Sequence, residues 1–273
     1  DEFAIRYGKE TEIYWNNGSG EAPTLHYGAE REKLEGKHWC ELTVEWSPLG
    51  TYFATFHKAG VKLWGGNEFF AQGRFMHPNV EEISFSPCER FLVTYRLNDL
   101  PGSNSQENII IWDVRTGEKI KSFSKKSPYE AKFPVIATVT EEKNGKKVER
   151  TFRGRVLDQQ ENNYGLVYII EEGSTKHEVP AKSVQATLDP NHLKWSPDGH
   201  YVARLSPDII SVYELPGERV YSIPAMNLLD KRSFAAKDVQ DFSWSPKANL
   251  LAYWSPANGN YPAVINITKV PER

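Results

Sequence analysis

At 273 residues, with 39% hydrophobic and 25% charged side chains, the chain has the balance of a soluble globular protein, long enough for one large domain with a small insert. A formal net charge of −3 speaks against a free nucleic-acid binder held by overall charge and leaves RNA contact to a local patch. No run approaches the ~18 apolar residues that a membrane span requires. The two cysteines, Cys40 and Cys88, form no CxxC pair, which points to a reduced, cytoplasmic setting.

The chain opens Asp1-Glu2-Phe3, with no apolar leader, so an internal piece of a longer protein is expected. Residues 3–7 and 11–15 read as two strands, and the charged stretch 29–38 as a loop. Then a unit repeats. Its copies begin Val44-Glu45-Trp46-Ser47-Pro48, Ile83-Ser84-Phe85-Ser86-Pro87, Leu193-Lys194-Trp195-Ser196-Pro197 and Phe242-Ser243-Trp244-Ser245-Pro246. In each, an apolar-x-aromatic triplet gives a half-buried strand. Ser-Pro then opens a tight turn, because proline presets φ and serine can bond back to the backbone. Gly50 and Gly199 supply permissive backbone at two of the turns, whereas Glu89 and Ala248 stand at that place in the others. A second strand follows, then a third at 60–64, 108–113, 209–213 and 263–267, and an outer strand is expected at 69–75 and 119–123.

Ser47 and Ser86 stand 39 residues apart, and Ser196 and Ser245 stand 49 apart. Three or four short antiparallel strands in a period of about 40–50 residues make a β-propeller blade. The expected fold is therefore all-β: a WD40-like β-propeller segment of about four blades plus a partial one, an incomplete ring. Its structural anchors are Trp46, Ser47, Pro48, Ser86, Pro87, Trp195, Ser196, Pro197, Trp244, Ser245 and Pro246, with Trp64, Trp112, Asp113 and Tyr213 closing third strands. The aromatics would fill the gaps between blades. An arc of blades leaves apolar end faces, so the isolated fragment is expected to aggregate or to be marginally stable.

From Ser86 to Ser196 the separation is 110, which places an insertion at 126–188 and divides the chain into 1–125, 126–188 and 189–273. Within the insertion, Asn144-Gly145 joins two apolar-alternating runs, a strong hairpin signal, and a second hairpin is expected over 165–180. The pair is either a small SH3-like or Tudor-like barrel or a loop decorated with two long hairpins. Beside Lys125 and Lys126, the basic residues Lys143, Lys146, Lys147, Arg150, Arg153 and Arg155 are the RNA-contact candidates, as salt-sensitive phosphate ligands. The alternative is a solvated hairpin, since Glu141, Glu142 and Glu149 are interleaved.

The motifs that could carry reaction chemistry are incomplete. Gly102-Ser103-Asn104-Ser105-Gln106 lacks the closing glycine of a hydrolase elbow. Gly18-Ser19-Gly20 is followed by Pro23 where a dinucleotide-binding loop needs glycine. The seven histidines form no i, i+4 pair. No catalytic, cofactor or metal residue is assigned.

Particular stretches resemble a known family. They are residues 44–57, Leu63-Trp64-Gly65-Gly66, Phe85 through Tyr95 with its Ser-Pro-Cys-Glu-Arg, Ile109-Ile110-Ile111-Trp112-Asp113, Leu228-Leu229-Asp230-Lys231-Arg232-Ser233 and Asp241 through Pro246. Together they are similar to the b-subunit family of eukaryotic translation initiation factor 3. The resemblance covers nearly all the chain except the insertion. It implies a large propeller ring of which this chain is roughly the first half, and a core scaffold without enzymatic activity. The implied partners are the a, g and i subunits of the factor and the 40S ribosomal subunit, through its proteins and 18S rRNA, with no membrane and no small-molecule substrate. The insertion departs from the family pattern. Two other readings compete: a generic WD40-type protein-interaction adaptor, and the propeller of a prolyl-oligopeptidase-type hydrolase.

Overall fold

A computed structural model describes residues 1–8, 10–28, 39–96, 107–124, 134–143, 145–186, 193–206, 208–217, 227–228, 234–235, 237–257 and 262–270. Among them the chain is all-β, with one three-residue 3-10 turn and no α-helix. The charged stretch 29–38, residues 102–106, Lys125, Lys126 and 229–233 lie outside the described residues. The chain forms two compact units, Asp1–Phe123 and Ser124–Arg273.

The first unit holds three antiparallel meanders. Strands β1 (Glu2–Tyr7), β2 (Glu10–Trp15) and β3 (Thr24–Tyr27) make the first sheet. Strands β4 (Val44–Trp46), β5 (Tyr52–His57), β6 (Gly60–Gly65) and β7 (Phe70–Phe75) make the second. Strands β8 (Glu82–Phe85), β9 (Phe91–Tyr95), β10 (Ile109–Asp113) and β11 (Lys119–Phe123) make the third. Apolar side chains on both faces of β5 and β6 let the second sheet pack against both neighbours. One face meets the first sheet through Phe53, Trp64 and Phe69 against Ile13 and Tyr27. The other meets the third sheet through Ala54, Phe56, Leu63 and Phe75 against Phe85, Leu92, Ile110 and Trp112. Each fully buried large side chain contributes roughly 1.5–3 kcal/mol, so these two seams dominate the stability of the unit.

In the second unit, β12 (Pro134–Lys143), β13 (Lys146–Asn162), β14 (Gly165–Glu172), β15 (Thr175–Pro180) and β16 (Val184–Ala186) form one five-stranded sheet, ordered β15-β14-β13-β12-β16. After the 3-10 turn Ala181–Ser183, β16 returns to pair with β12. The strands wrap Val135, Ala137, Phe152, Val156, Tyr168, Ile170 and Val179. The five strands thus make one continuous sheet, in which the two expected hairpins are joined through β13 and β14. Strands β17 (Leu193–Trp195), β18 (Tyr201–Ser206), β19 (Ile209–Glu214), β20 (Asn227–Leu228) and β21 (Phe234–Ala235) form the next sheet, in which both β20 and β21 pair with β19. Strands β22 (Asp241–Trp244), β23 (Leu250–Ser255) and β24 (Val264–Lys269) form the last. Tyr201, Leu205 and Val212 pack against Phe242 and Leu251 between these two sheets.

The repeat read from sequence is a repeat of register. The residue before each anchor serine pairs with the one six after it: Trp46 with Phe53, Phe85 with Leu92, Trp195 with Val202 and Trp244 with Leu251. On the third strand, Phe53 faces Trp64, Leu92 faces Trp112 and Val202 faces Tyr213, but Leu251 faces Thr268. The aromatic gap-fillers thus share one ladder position in three sheets, and the fourth sheet lacks one.

Candidate functional site

The anchor turns come first, because they set every other position. In three of them the serine hydroxyl accepts the backbone N–H five residues on. Tyr52 N reaches Ser47 Oγ at 2.9 Å, Phe91 N reaches Ser86 Oγ at 3.0 Å and Tyr201 N reaches Ser196 Oγ at 2.9 Å. These serines are buried. The residue three after each has positive φ: Gly50 at 78°, Glu89 at 56° and Gly199 at 70°. Glu89 carries a side chain where glycine is preferred. It is 5% exposed, and its Oε1 accepts the Leu49 N–H at 2.7 Å, in the turn of the neighbouring sheet. Burial alone would raise its pKa, but hydrogen bonds from Ser47, Thr51 and the Leu49 amide outweigh it and hold the carboxyl below its ordinary value. A parallel link joins the last two sheets, where Asn249 Nδ2 donates to Asp198 Oδ2 at 2.8 Å. Within each unit, then, the later of the two anchor turns is fastened to the earlier one.

The third-strand aromatics carry a polar link that the sequence reading missed. Trp64 Nε1 donates to Thr55 Oγ1 at 2.9 Å, and Trp112 Nε1 donates to Thr94 Oγ1 at 3.0 Å. Thr94 also meets His77 Nδ1 at 2.7 Å, and His77 Nε2 meets the Glu107 carbonyl at 3.0 Å. The signal was available: Thr55 and Thr94 each stand eight residues after their anchor serine, whereas Arg204 and Tyr253 hold that position in the second unit. Burial pushes the His77 pKa below its ordinary value, and the Arg96 cation acts in the same direction, against a hydrogen bond to Glu107. Asp113, expected as an anchor, is buried, and its Oδ1 accepts the Arg115 N–H at 2.9 Å.

The basic candidates lie on β12 and β13, but they are not one patch. Strand alternation turns Lys146 and Arg150 to one face of β13 and Lys147, Arg153 and Arg155 to the other. Arg150 forks onto Glu172 at 2.8 and 2.6 Å and reaches Glu141 at 2.7 Å, tying three strands together. Those carboxylates raise its pKa further, and hydrogen bonding to Arg150 lowers that of Glu172 despite partial burial. Arg153 donates to Gln240, while Arg155 Nη2 lies 3.5 Å from Asp208 and 3.3 Å from Asp238. These contacts rim a cleft of about 430 Å³ inside the second unit, lined by Arg153, Arg155, Lys237, Asp238 and Gln240 among others. Lys146 and Lys147 are exposed. Lys143 pairs with Lys146 in the ladder, and its side chain lies outside the described residues. Among the described residues no group of three His, Cys, Asp or Glu side chains is placed to hold a metal ion, and no helix is long and apolar enough to cross a membrane.

Repeated antiparallel meanders, three of them opened by the same hydroxyl-locked turn and packed face to face within each unit, define the chain as a β-propeller segment that also carries a separate five-stranded sheet. From end to end it resembles a stretch of the b subunit of eukaryotic translation initiation factor 3. It is 32% identical over 278 residues to that subunit from Xenopus laevis, covering 100% of this chain and 29% of that protein. It is also 32% identical over 293 residues to the same subunit from Coccidioides immitis, covering 100% of this chain and 32% of that one. The chain therefore spans about a third of the length of these relatives, and the match includes the insertion, which the sequence reading had set apart. A solved structure, "Crystal structure of the eukaryotic initiation factor", aligns with a TM-score of 0.58 at 17% identity, covering 99% of this chain and 49% of that one, a likeness of fold. No protein-family model matches the chain.

Proposed function

We propose that this chain is a propeller stretch of a translation initiation factor 3 scaffold subunit, acting in the cytoplasm without catalysis and helping to place the factor on the 40S ribosomal subunit. The observation that carries this reading is the 32% identity to the b subunit of that factor, sustained over the whole chain. The architecture supports it, since packed blades present rigid edges and turns to partners, as a scaffold requires. In this reading residues 126–188 are an inserted module within the propeller at 1–125 and 189–273. The partners are the a, g and i subunits together with small-subunit proteins and 18S rRNA.

For RNA contact the candidates divide by occupancy. Arg150, Arg153 and Arg155 already hold partners within the chain. The exposed Lys146 and Lys147, with Lys143, are the side chains proposed to meet phosphate. Affinity purification of the full-length protein followed by mass spectrometry tests the scaffold assignment. Recovery of the a, g and i subunits with small-subunit proteins is expected. Recovery of a different, unrelated complex would favour a generic propeller adaptor.

A further inference from the structure

The chain carries four copies of one Ser-Pro turn, and three are closed to chemistry. Ser47, Ser86 and Ser196 are 4%, 0% and 0% exposed, and each hydroxyl accepts the amide five residues on. The fourth turn is built differently. Leu250 N turns to the Ala248 carbonyl at 2.7 Å in place of Ser245 Oγ. Ala248 is absent from the residues with positive φ, so this turn does not take the left-handed step that brings the later amide onto the hydroxyl. Ser245 is half-exposed, Pro246, Lys247 and Ala248 are exposed, and Ser245 Oγ receives only a long contact of 3.4 Å from the Lys247 amide. Ser255, which also precedes a proline, is committed elsewhere: its hydroxyl donates to the Lys237 carbonyl at 2.8 Å.

We infer that Ser245 is a phosphorylation site for a proline-directed serine/threonine kinase. The donor is ATP. Ser245 Oγ attacks the γ-phosphorus, the new O–P bond forms as the bond to the departing ADP oxygen breaks, and the hydroxyl proton passes to the carboxylate base of the kinase. The product places close to two negative charges and three acceptor oxygens at an exposed hairpin end. At the other three anchors the same group would be buried and would displace a backbone hydrogen bond.

The test is to incubate the full-length protein with a purified proline-directed kinase and ATP, then to map phosphate by peptide mass spectrometry. The expected result is phosphate on Ser245, with Ser47, Ser86 and Ser196 unlabelled, and loss of that peptide's label in S245A. The three buried serines serve as the check for unfolding. An unmodified Ser245, or equal labelling of all four anchors, would overturn the assignment.

Discussion

Glu89 holds its backbone at φ 56°, a region that costs a side-chain-bearing residue about 1 kcal/mol or more. The compensation is its carboxylate, which caps the neighbouring turn through the Leu49 amide. E89A keeps the backbone cost and removes the acceptor, and should lower stability by about 1–3 kcal/mol. E89G relieves the backbone and should cost less than E89A. Denaturant midpoints check both, and wild-type stability in E89A would refute the capping role. His77 makes a pH prediction. Its folded pKa is depressed, so the unfolded chain binds the proton more tightly. Stability is then full above the ordinary histidine value of about 6.5 and is lost as pH falls through it towards the folded value. His57 is shifted in the same sense, by burial first and against the pull of Glu41. The melting temperature should drop between pH 7.5 and pH 5.5, and H77Q should show a smaller drop. At this scale the sequence was legible where one residue acts alone. Ser47, Ser86 and Ser196, like Trp64 and Trp112, stand at positions a linear repeat displays, whereas Ser245 stands at the same position without the same bond. The Glu89–Leu49 and Trp112–Thr94–His77 contacts join residues from different strands or sheets, which a linear repeat does not display.

At the scale of the element, the hairpins of the insertion were legible because Asn144-Gly145 and the alternation around it are local signals. The three-residue β16 was not. It has no turn partner and gains its place only by pairing with β12, about fifty residues earlier in the chain. Strand β13 shows a second limit. It runs for 17 residues with a register shift between Val156 and Asp158, and so serves two stretches of the sheet. Gly154 lies just before this bend. A Cβ there would stand 2.5 Å from the Glu171 carbonyl oxygen and 2.5 Å from Ile170 Cγ2. G154A should therefore cost about 1–3 kcal/mol through overpacking, read as a lower melting temperature. An unchanged melt would mean that β13 and β14 are not held this closely. Basic composition was legible as well, but not its division between two faces or the capture of Arg150 by Glu141 and Glu172, because that depends on which strands become neighbours.

At the scale of the molecule, the blade repeat explains what each unit buries and what it leaves open. In the last sheet one face packs on its neighbour through Phe242 and Leu251. On the other, Trp254, Ile265 and Ile267 are 42%, 76% and 69% exposed. An apolar face of this kind drives association. The isolated 273-residue chain should self-associate on size-exclusion chromatography with light scattering, and I265K/I267K should shift it towards monomer. A monodisperse wild-type monomer would contradict this. The proposed seat of the protein on the small ribosomal subunit is tested most directly by sucrose-gradient sedimentation of the full-length protein in extract. Co-migration with 40S subunits, weakened by salt, is expected, with K146S/K147S lowering both the bound fraction and the slope of its logarithm against log salt. Full-length protein that stays at the top of the gradient, apart from 40S subunits at every salt concentration, would contradict it.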